Sequence, residues 1–386
     1  MTILTNLKII DPVLGLVDAD AIEVENGVIV ALGTAGEMPG PDRRDMGGVF
    51  VTPGLIDAHV HLCLNPEISN PLDQDKFDRE TLMAQMIERA RQMLDAGITT
   101  ARDLGGGQWI ELDVRDAILS GEVAGPRLLC SGQPITSVSG HCHFWGGEAS
   151  DVTEALAVLE RQVEHGVDLI KVMATGGNLT KGSTPKDAQF DTATLTSVVQ
   201  AAGNHGMHVA AHCHGTAGIA NAATAGVRTI EHCSWVGDAG WARNYDAAVA
   251  EEIVRRGAIV SPTINLGWKR RIGSGEYEEL VKGNFARLRA LGAGFITSTD
   301  AGIPNVFHHH LGAALPIFAH FTGMSNAEVL RAATIDCATA IGIGDRVGRI
   351  ARGFAADLVF LEADPLEDLA TFEAPAAVMA RGTIAA

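Results

Sequence analysis

The stretch 53-PGLIDAHVHLCLNP-66 sets His59 and His61 one residue apart at the end of an apolar run. In a β-strand, positions i and i+2 face the same way, so the two imidazoles would converge on one point. Four further short apolar runs carry comparable groups: Lys171 in 168-DLIKVMATGG, His212 and His214 in 208-HVAAHCHG, His232 in 228-RTIEHCS and Asp300 in 294-GFITSTDAG. Imidazole and carboxylate are the usual ligands of zinc and related divalent ions. A single histidine at a strand end is ordinarily a hydrogen-bonded structural residue. Several on separate strands, all at the same end, point instead to one distributed metal site. Lys171 is the odd member. Burying a lysine costs several kcal/mol unless it is paired or neutral, and an ion pair to an aspartate is the ordinary explanation. Burial also lowers the lysine pKa, and a neutral amine can take up CO2 to give a carbamate, a carboxylate able to bridge two cations.

The elements that must position these groups follow one pattern from about residue 80 to 340. A helical stretch ends in a small pair closing on glycine, and a short β-rich run follows, as in 96-AGITTARD, 165-HGVDLIKVMA, 205-HGMHVAAHCH, 225-AGVRTIEHC, 256-RGAIVSPT and 291-LGAGFITSTD. Glycine there is the expected residue just past a helix C-terminus. In 151-DVTEALAVLERQVEH, Asp151 reads as an N-cap with Glu154 three residues on. With 54-GLIDAHVHL and 126-PRLLCSG the runs number eight, and strands alternating with helices imply an α/β fold, a (β/α)8 TIM barrel. An open doubly wound sheet is the alternative, but no Gly-x-Gly-x-x-Gly follows the first strand. The ends differ in style. Residues 1–52 carry alternating strands with Asn26-Gly27 as a hairpin turn, and residues 346–386 resume that style in 347-VGRIARGFAADLVFLEAD. We expect a small composite β-sandwich built from both termini beside a barrel of residues 53–345.

Composition narrows the partners. The 386 residues carry a formal charge of −18, which argues against nucleic-acid or anionic-membrane partners, because phosphate binding needs clustered Lys and Arg. No run approaches the roughly 18 apolar residues of a membrane span. The opening MTILTNLKIIDP lacks the marks of a signal peptide, and six cysteines occur without CxxC spacing, so a reducing, cytoplasmic location is expected. Cys213 and Cys233 should face away from their neighbouring histidines as packing residues.

Taken together, HVH, IKVMATGG, AHCHG, EHC and STDAG, in that order, resemble the amidohydrolase superfamily with a binuclear metal centre, and the resemblance covers essentially the whole chain. It implies that His59, His61 and Asp300 hold one divalent ion and His212 and His232 the other, zinc being the expected metal, with a carboxylated Lys171 bridging both. The wording of these motifs resembles the branch of prolidase-like and Xaa-Arg carboxypeptidase-like dipeptidases, which cleave dipeptides and N-acyl amino acids. Relatives hydrolyse aryl amides and ureas. Two such cations would make a shared water acidic enough to attack at neutral pH while polarising the scissile carbonyl, with Asp300 as general base and then acid.

Outside that set, His141 in 139-SGHCHFWGG is expected to contact substrate, and His214 to contact substrate or support the ligands. His143 and 308-HHH-310 read as loop residues. A carbonyl-polarising tyrosine is not expected from Tyr245 or Tyr277, and Lys181 and Lys186 read as solvated loop residues that could receive a substrate carboxylate. The expected partner is a small amide or dipeptide, and a homo-oligomer is expected on general grounds. Two other readings stay open: a mononuclear deaminase or cyclic-amide hydrolase of the same superfamily, and a non-catalytic barrel.

Overall fold

Eight helices alternate with the strands of the barrel, and their ends show why the sequence folds this way. Asp78, Asp151, Asp191 and Asp246 each accept hydrogen bonds from first-turn N–H groups, satisfying donors that a helix leaves open. The helices Thr216–Ala225 and Ala247–Arg256 stop at Gly226 and Gly257, whose φ values of 85° and 68° no other residue adopts cheaply. The structure, a computed structural model, describes residues 1–385.

Strands Leu55–Val60, Ile98–Asp103 and Arg127–Cys130 form one parallel sheet; Ile170–Met173, Val209–Gly215, Thr229–Val236 and Ile259–Ser261 form another. Two seams join them into a ring. At one, Asp168 N donates to Cys130 O, and Ile135 exchanges bonds with Lys171 and Met173. At the other, residues 294–301 run between the outer strands: Ile296 N donates to Val260 O, Ala58 N to Thr297 O, and Asp300 N to His59 O. This eighth stave is irregular rather than a strand of continuous ladder. The whole is a (β/α)8 barrel.

The floor of the barrel is apolar. Ile56, Ala58, Leu129, Leu169, Ala210 and Ile296 pack together there against Cys337, Ala338 and Ile341, which belong to or follow the short helix Ile335–Ala340. Polar groups are thereby left to the opposite rim, where the strands end. Cys213 lies in the core between strands and helices, as expected, whereas Cys233, also buried, departs from that expectation and lines the cavity on the histidine side. The two ends of the chain meet in one eight-stranded sheet, in which Arg43–Pro53 pairs with Thr2–Asp11 on one side and Leu358–Leu361 on the other. Its far edge bonds back through Ile29 to Phe354 and Gly27 to Ala356, so the sheet wraps around Leu4, Ile9, Ile22, Val51, Leu358 and Phe360. No helix among the described residues is long and apolar enough to cross a membrane.

Candidate metal centre

The first strand and the eighth stave bring His59, His61 and Asp300 together. Asp300 Oδ1 lies 3.3 Å from His59 Nε2 and 3.5 Å from His61 Nε2, and the two Nε2 atoms are 3.3 Å apart. The other ring nitrogens are held from outside: His59 Nδ1 is 3.0 Å from Glu231 Oε2, and His61 Nδ1 is 2.9 Å from Gly105 O. Those partners are acceptors, so each Nδ1 carries the proton and each Nε2 turns a lone pair toward Asp300. On the far side, His212 Nδ1 and His232 Nε2 are 2.9 Å apart, with His212 Nε2 on Gly176 O and His232 Nδ1 on Thr263 Oγ1. His214 offers a third donor, so that His212, His214 and His232, like His59, His61 and Asp300, present ligand atoms all within 4.8 Å of one another. Buried donors with lone pairs aimed inward and outer nitrogens already bonded fit divalent ions well.

Protonation states agree with that fit. Burial, then the charge of Lys171, lowers His59 to a pKa of about 4; burial, then neighbouring histidines, holds His212 and His232 well below the usual range. All three are neutral at pH 7, as ligation requires. Burial alone would raise the Asp300 carboxyl, but His59 and His61 bring it well below the ordinary carboxylate value.

The backbone at this rim leaves regular β geometry. His232, Cys233 and Asp300 have φ of 66°, 50° and 61°, left-handed values that cost non-glycine residues of order 1–3 kcal/mol each. The consequence at the sixth strand is that two consecutive side chains reach the centre: His232 meets His212, while Glu231 meets His59. Strict alternation would have sent Glu231 the other way, which is why sequence reasoning passed over it. Arg102 was missed as well. It is fully buried and donates to Ala58 O at 2.7 Å, Thr229 Oγ1 at 3.0 Å and Glu231 Oε1 at 2.8 Å. The available signal was an arginine inside the apolar run 98-ITTARD. Asp57, deeper on the first strand, accepts from Thr299 N and Oγ1 and from His59 N, tying the strand to the eighth stave.

Lys171 is 1% exposed on the fourth strand. The ordinary explanation, an ion pair, does not apply: Glu231 is taken by Arg102 and His59, Asp300 faces the histidines, and Lys171 forms no salt bridge among the described residues. Burial lowers its pKa to about 8, against the pull of Glu231 and Asp300. Its charge is felt by His59 and Asp300 on one side and by His212 and His232 on the other.

These groups line a cavity of about 540 Å³. His141 reaches it from the loop after the third strand, its ring 4.6 Å from that of His212 and its Nδ1 buried without a partner. A Cβ on Gly177 would sit 2.5 Å from the His141 ring, so the second glycine of 175-TGG makes room for it. Tyr277 lines the cavity, whereas Tyr245 packs on Trp235. Of the loop lysines, Lys186 pairs with Asp238 at 2.6 Å, and neither it nor Lys181 lines the cavity. His308 is buried with Nε2 on His61 O at 3.1 Å, while His309 and His310 are partly exposed and meet edge to face.

A parallel barrel whose rim gathers two sets of buried imidazoles with one ionised carboxylate is the framework of a metal-dependent hydrolase. The chain belongs to the amidohydrolase family, whose model matches residues 50–385. It is 26% identical over 399 residues to an ochratoxinase of Aspergillus niger, covering 93% of this chain and 80% of that one. It is also 26% identical to an imidazolonepropionase of Chloroflexus aggregans, covering 91% and 86%. The crystal structure of a Xaa-Pro dipeptidase with methionine bound in its active site superposes with a TM-score of 0.87 at 25% identity, covering 100% of this chain and 99% of that one. The protein is accordingly a metal-dependent hydrolase of C–N bonds in small amides.

Proposed function

We propose that the protein cleaves the peptide-like amide bond of dipeptides or N-acyl amino acids, using two zinc ions and a carboxylated Lys171. The observation that carries this reading is the buried, unpaired Lys171 between two three-donor sets. His59, His61 and Asp300 would hold one ion, His212 and His232 the other, and the Lys171 carbamate would bridge them. When bound, the ions supply a Lewis acid for the scissile carbonyl and a water acidic enough to attack at neutral pH. The chain's own residues do the rest. Glu231 fixes the His59 tautomer; Asp300, held ionised, accepts the proton of the attacking water and returns it to the leaving amine. His141, kept neutral with a pKa of about 4, chiefly by burial, offers a hydrogen bond to the substrate, and His214 stands beside His212 and His232 as a further contact or ligand. In this reading residues 53–345 carry the chemistry, residues 1–52 with 346–386 form the accessory unit, and the six free thiols suit a reducing cytoplasm.

The likeness to the Xaa-Pro dipeptidase and to ochratoxinase supports an amide substrate. The test is metal analysis of the purified protein with a panel of dipeptides, N-acyl amino acids, aryl amides and lactones. Stoichiometric divalent metal and turnover of amides are expected; a metal-free protein whose activity ignores chelators would sink the proposal. A second reading, a single-metal hydrolase of a cyclic amide, draws on the imidazolonepropionase relatives. Lys171→Ala separates the two: loss of one ion, with partial rescue by short carboxylic acids, follows only from the bridged pair.

A further inference from the structure

One wall of the cavity carries two arginines without an acidic partner among the described residues, the exposed Arg270 and the more deeply set Arg271. Arg271, in the loop after the seventh strand, lines the cavity with its Cζ 4.0 Å from the Trp268 ring centroid and 5.5 Å from that of Tyr277. The acids nearest in sequence are committed elsewhere. Glu276 receives a bidentate pair from Arg243 at 2.8 Å, and Glu278 accepts from His320 and from Gly273 N. Arg271 forms no salt bridge among the described residues, and burial lowers its pKa, with only Tyr277 and Arg270 adding charge effects.

This is an odd place for an unpaired guanidinium. With 47 acidic against 29 basic residues, the chain has carboxylates in excess, and among the described residues twelve arginines and lysines that reach the surface pair with them, as in Arg243–Glu276 and Lys186–Asp238. A guanidinium partly withdrawn from water without a counter-charge is destabilising unless something completes it. Stacking on an indole spends its flat face and leaves its edge N–H groups free, the geometry that meets a carboxylate with two parallel hydrogen bonds. The same cavity presents Trp145, Trp241, Trp268, Tyr277 and Phe285, surfaces suited to an apolar or aromatic side chain.

We propose that Arg271, held flat by Trp268, binds the free carboxylate of the substrate, selecting amides whose amine portion is an amino acid with an apolar or aromatic side chain. This specificity rests on the amide-hydrolase reading, but the anion site can be tested apart from turnover. The metal-loaded protein and its Arg271→Met variant are titrated calorimetrically with 3-phenylpropanoate and with the isosteric 3-phenylpropanamide; Lys269→Met, exposed and outside the cavity lining, is the control. In parallel, kcat/KM is measured for N-acetyl-phenylalanine and for its α-carboxamide. The expected result is a 10- to 100-fold loss of carboxylate affinity in Arg271→Met, the range for a charge-assisted pair, with a loss of no more than about threefold in amide affinity and carboxamide kcat/KM, where only an uncharged hydrogen bond is removed. A structural role for Arg271 would depress both ligands together. Equal losses, or a carboxylate preference that survives in Arg271→Met, overturn the proposal even if amides are hydrolysed. If no amide is turned over but Arg271-dependent carboxylate binding remains, the proposed function falls and the anion site stands.

Discussion

Glu231 Oε2 lies 3.0 Å from His59 Nδ1, and both side chains are fully buried. Arg102 holds the second Glu231 oxygen at 2.8 Å, so an arginine from the second strand orients a histidine of the first through a carboxylate of the sixth. The carboxyl is kept ionised despite its burial, chiefly by Arg102 and then by His59. The three side chains act as one support for the Nε2 lone pair.

Replacing Glu231 with glutamine should therefore weaken metal retention by about 10- to 100-fold, the usual effect of losing a ligand's outer partner. It also leaves the Arg102 charge unpaired, which costs about 3–5 kcal/mol of stability. Chelator competition and denaturant titration measure the two effects separately. Metal affinity equal to that of the wild type would show that His59 is oriented by something else.

The proposed carboxylation of Lys171 would have a direction in pH. Its folded pKa of about 8 lies below the ordinary 10.5, and only the neutral amine reacts with CO2. For metal-free protein at fixed dissolved CO2, the initial rate of reactivation on adding zinc should rise as pH increases through about 8, where the free amine becomes the majority form. Lys171→Arg, which keeps charge but cannot form the carbamate, should show no CO2 dependence. A wild-type rate that is indifferent to CO2 at pH 7 and pH 9 alike counts against the modification.

Gly177→Ala tests the placement of His141. The added methyl would lie 2.5 Å from the imidazole, and overpacking of this kind costs about 1–3 kcal/mol. Because His141 faces the cavity, relief should come from its displacement, with at least a tenfold fall in kcat/KM. The double variant Gly177→Ala/His141→Ala should be no worse than His141→Ala alone. Additive losses would mean that the loop itself, and not the ring, had moved.

Acid should destabilise the fold through its buried histidines. His308 is 1% exposed and its pKa is lowered to about 3, mainly by burial and then by Arg89. The unfolded chain titrates near 6.5, so between these values the unfolded state binds the extra proton. Stability is full above pH 6.5 and falls as pH drops toward 3, by at most about 1.4 kcal/mol per pH unit from this group. His308→Gln should shrink the difference in urea midpoint between pH 7 and pH 5. An unchanged difference would show that His308 is not the group responsible.

Much of this was legible in the sequence because it followed regular periods. The glycine that ends each helix located the strands, and the i, i+2 spacing of His59 and His61 gave their shared face. What escaped lay where the period breaks. Glu231 precedes His232, and alternation assigns them opposite faces; the left-handed turn at His232 and Cys233 lets both reach the centre. Arg102 went unremarked because its partners are 44, 127 and 129 residues away, distances that no local pattern encodes. His214 was placed on the correct face, but its grouping with His212 and His232 depends on the sixth strand's irregular end. Lys186 looked free because its partner Asp238 sits on another loop.

The 3₁₀ turn after the seventh strand has a consequence for inheritance. Ligands on the strand ends are fixed by the barrel's own hydrogen bonding, while the arginine and indole of the cavity wall sit on the segment 266–271, a short 3₁₀ turn outside that bonding. Chemistry and taste are thus written in separable parts of the chain: a lineage could exchange the wall segment and acquire a new diet without touching the metal-bearing rim.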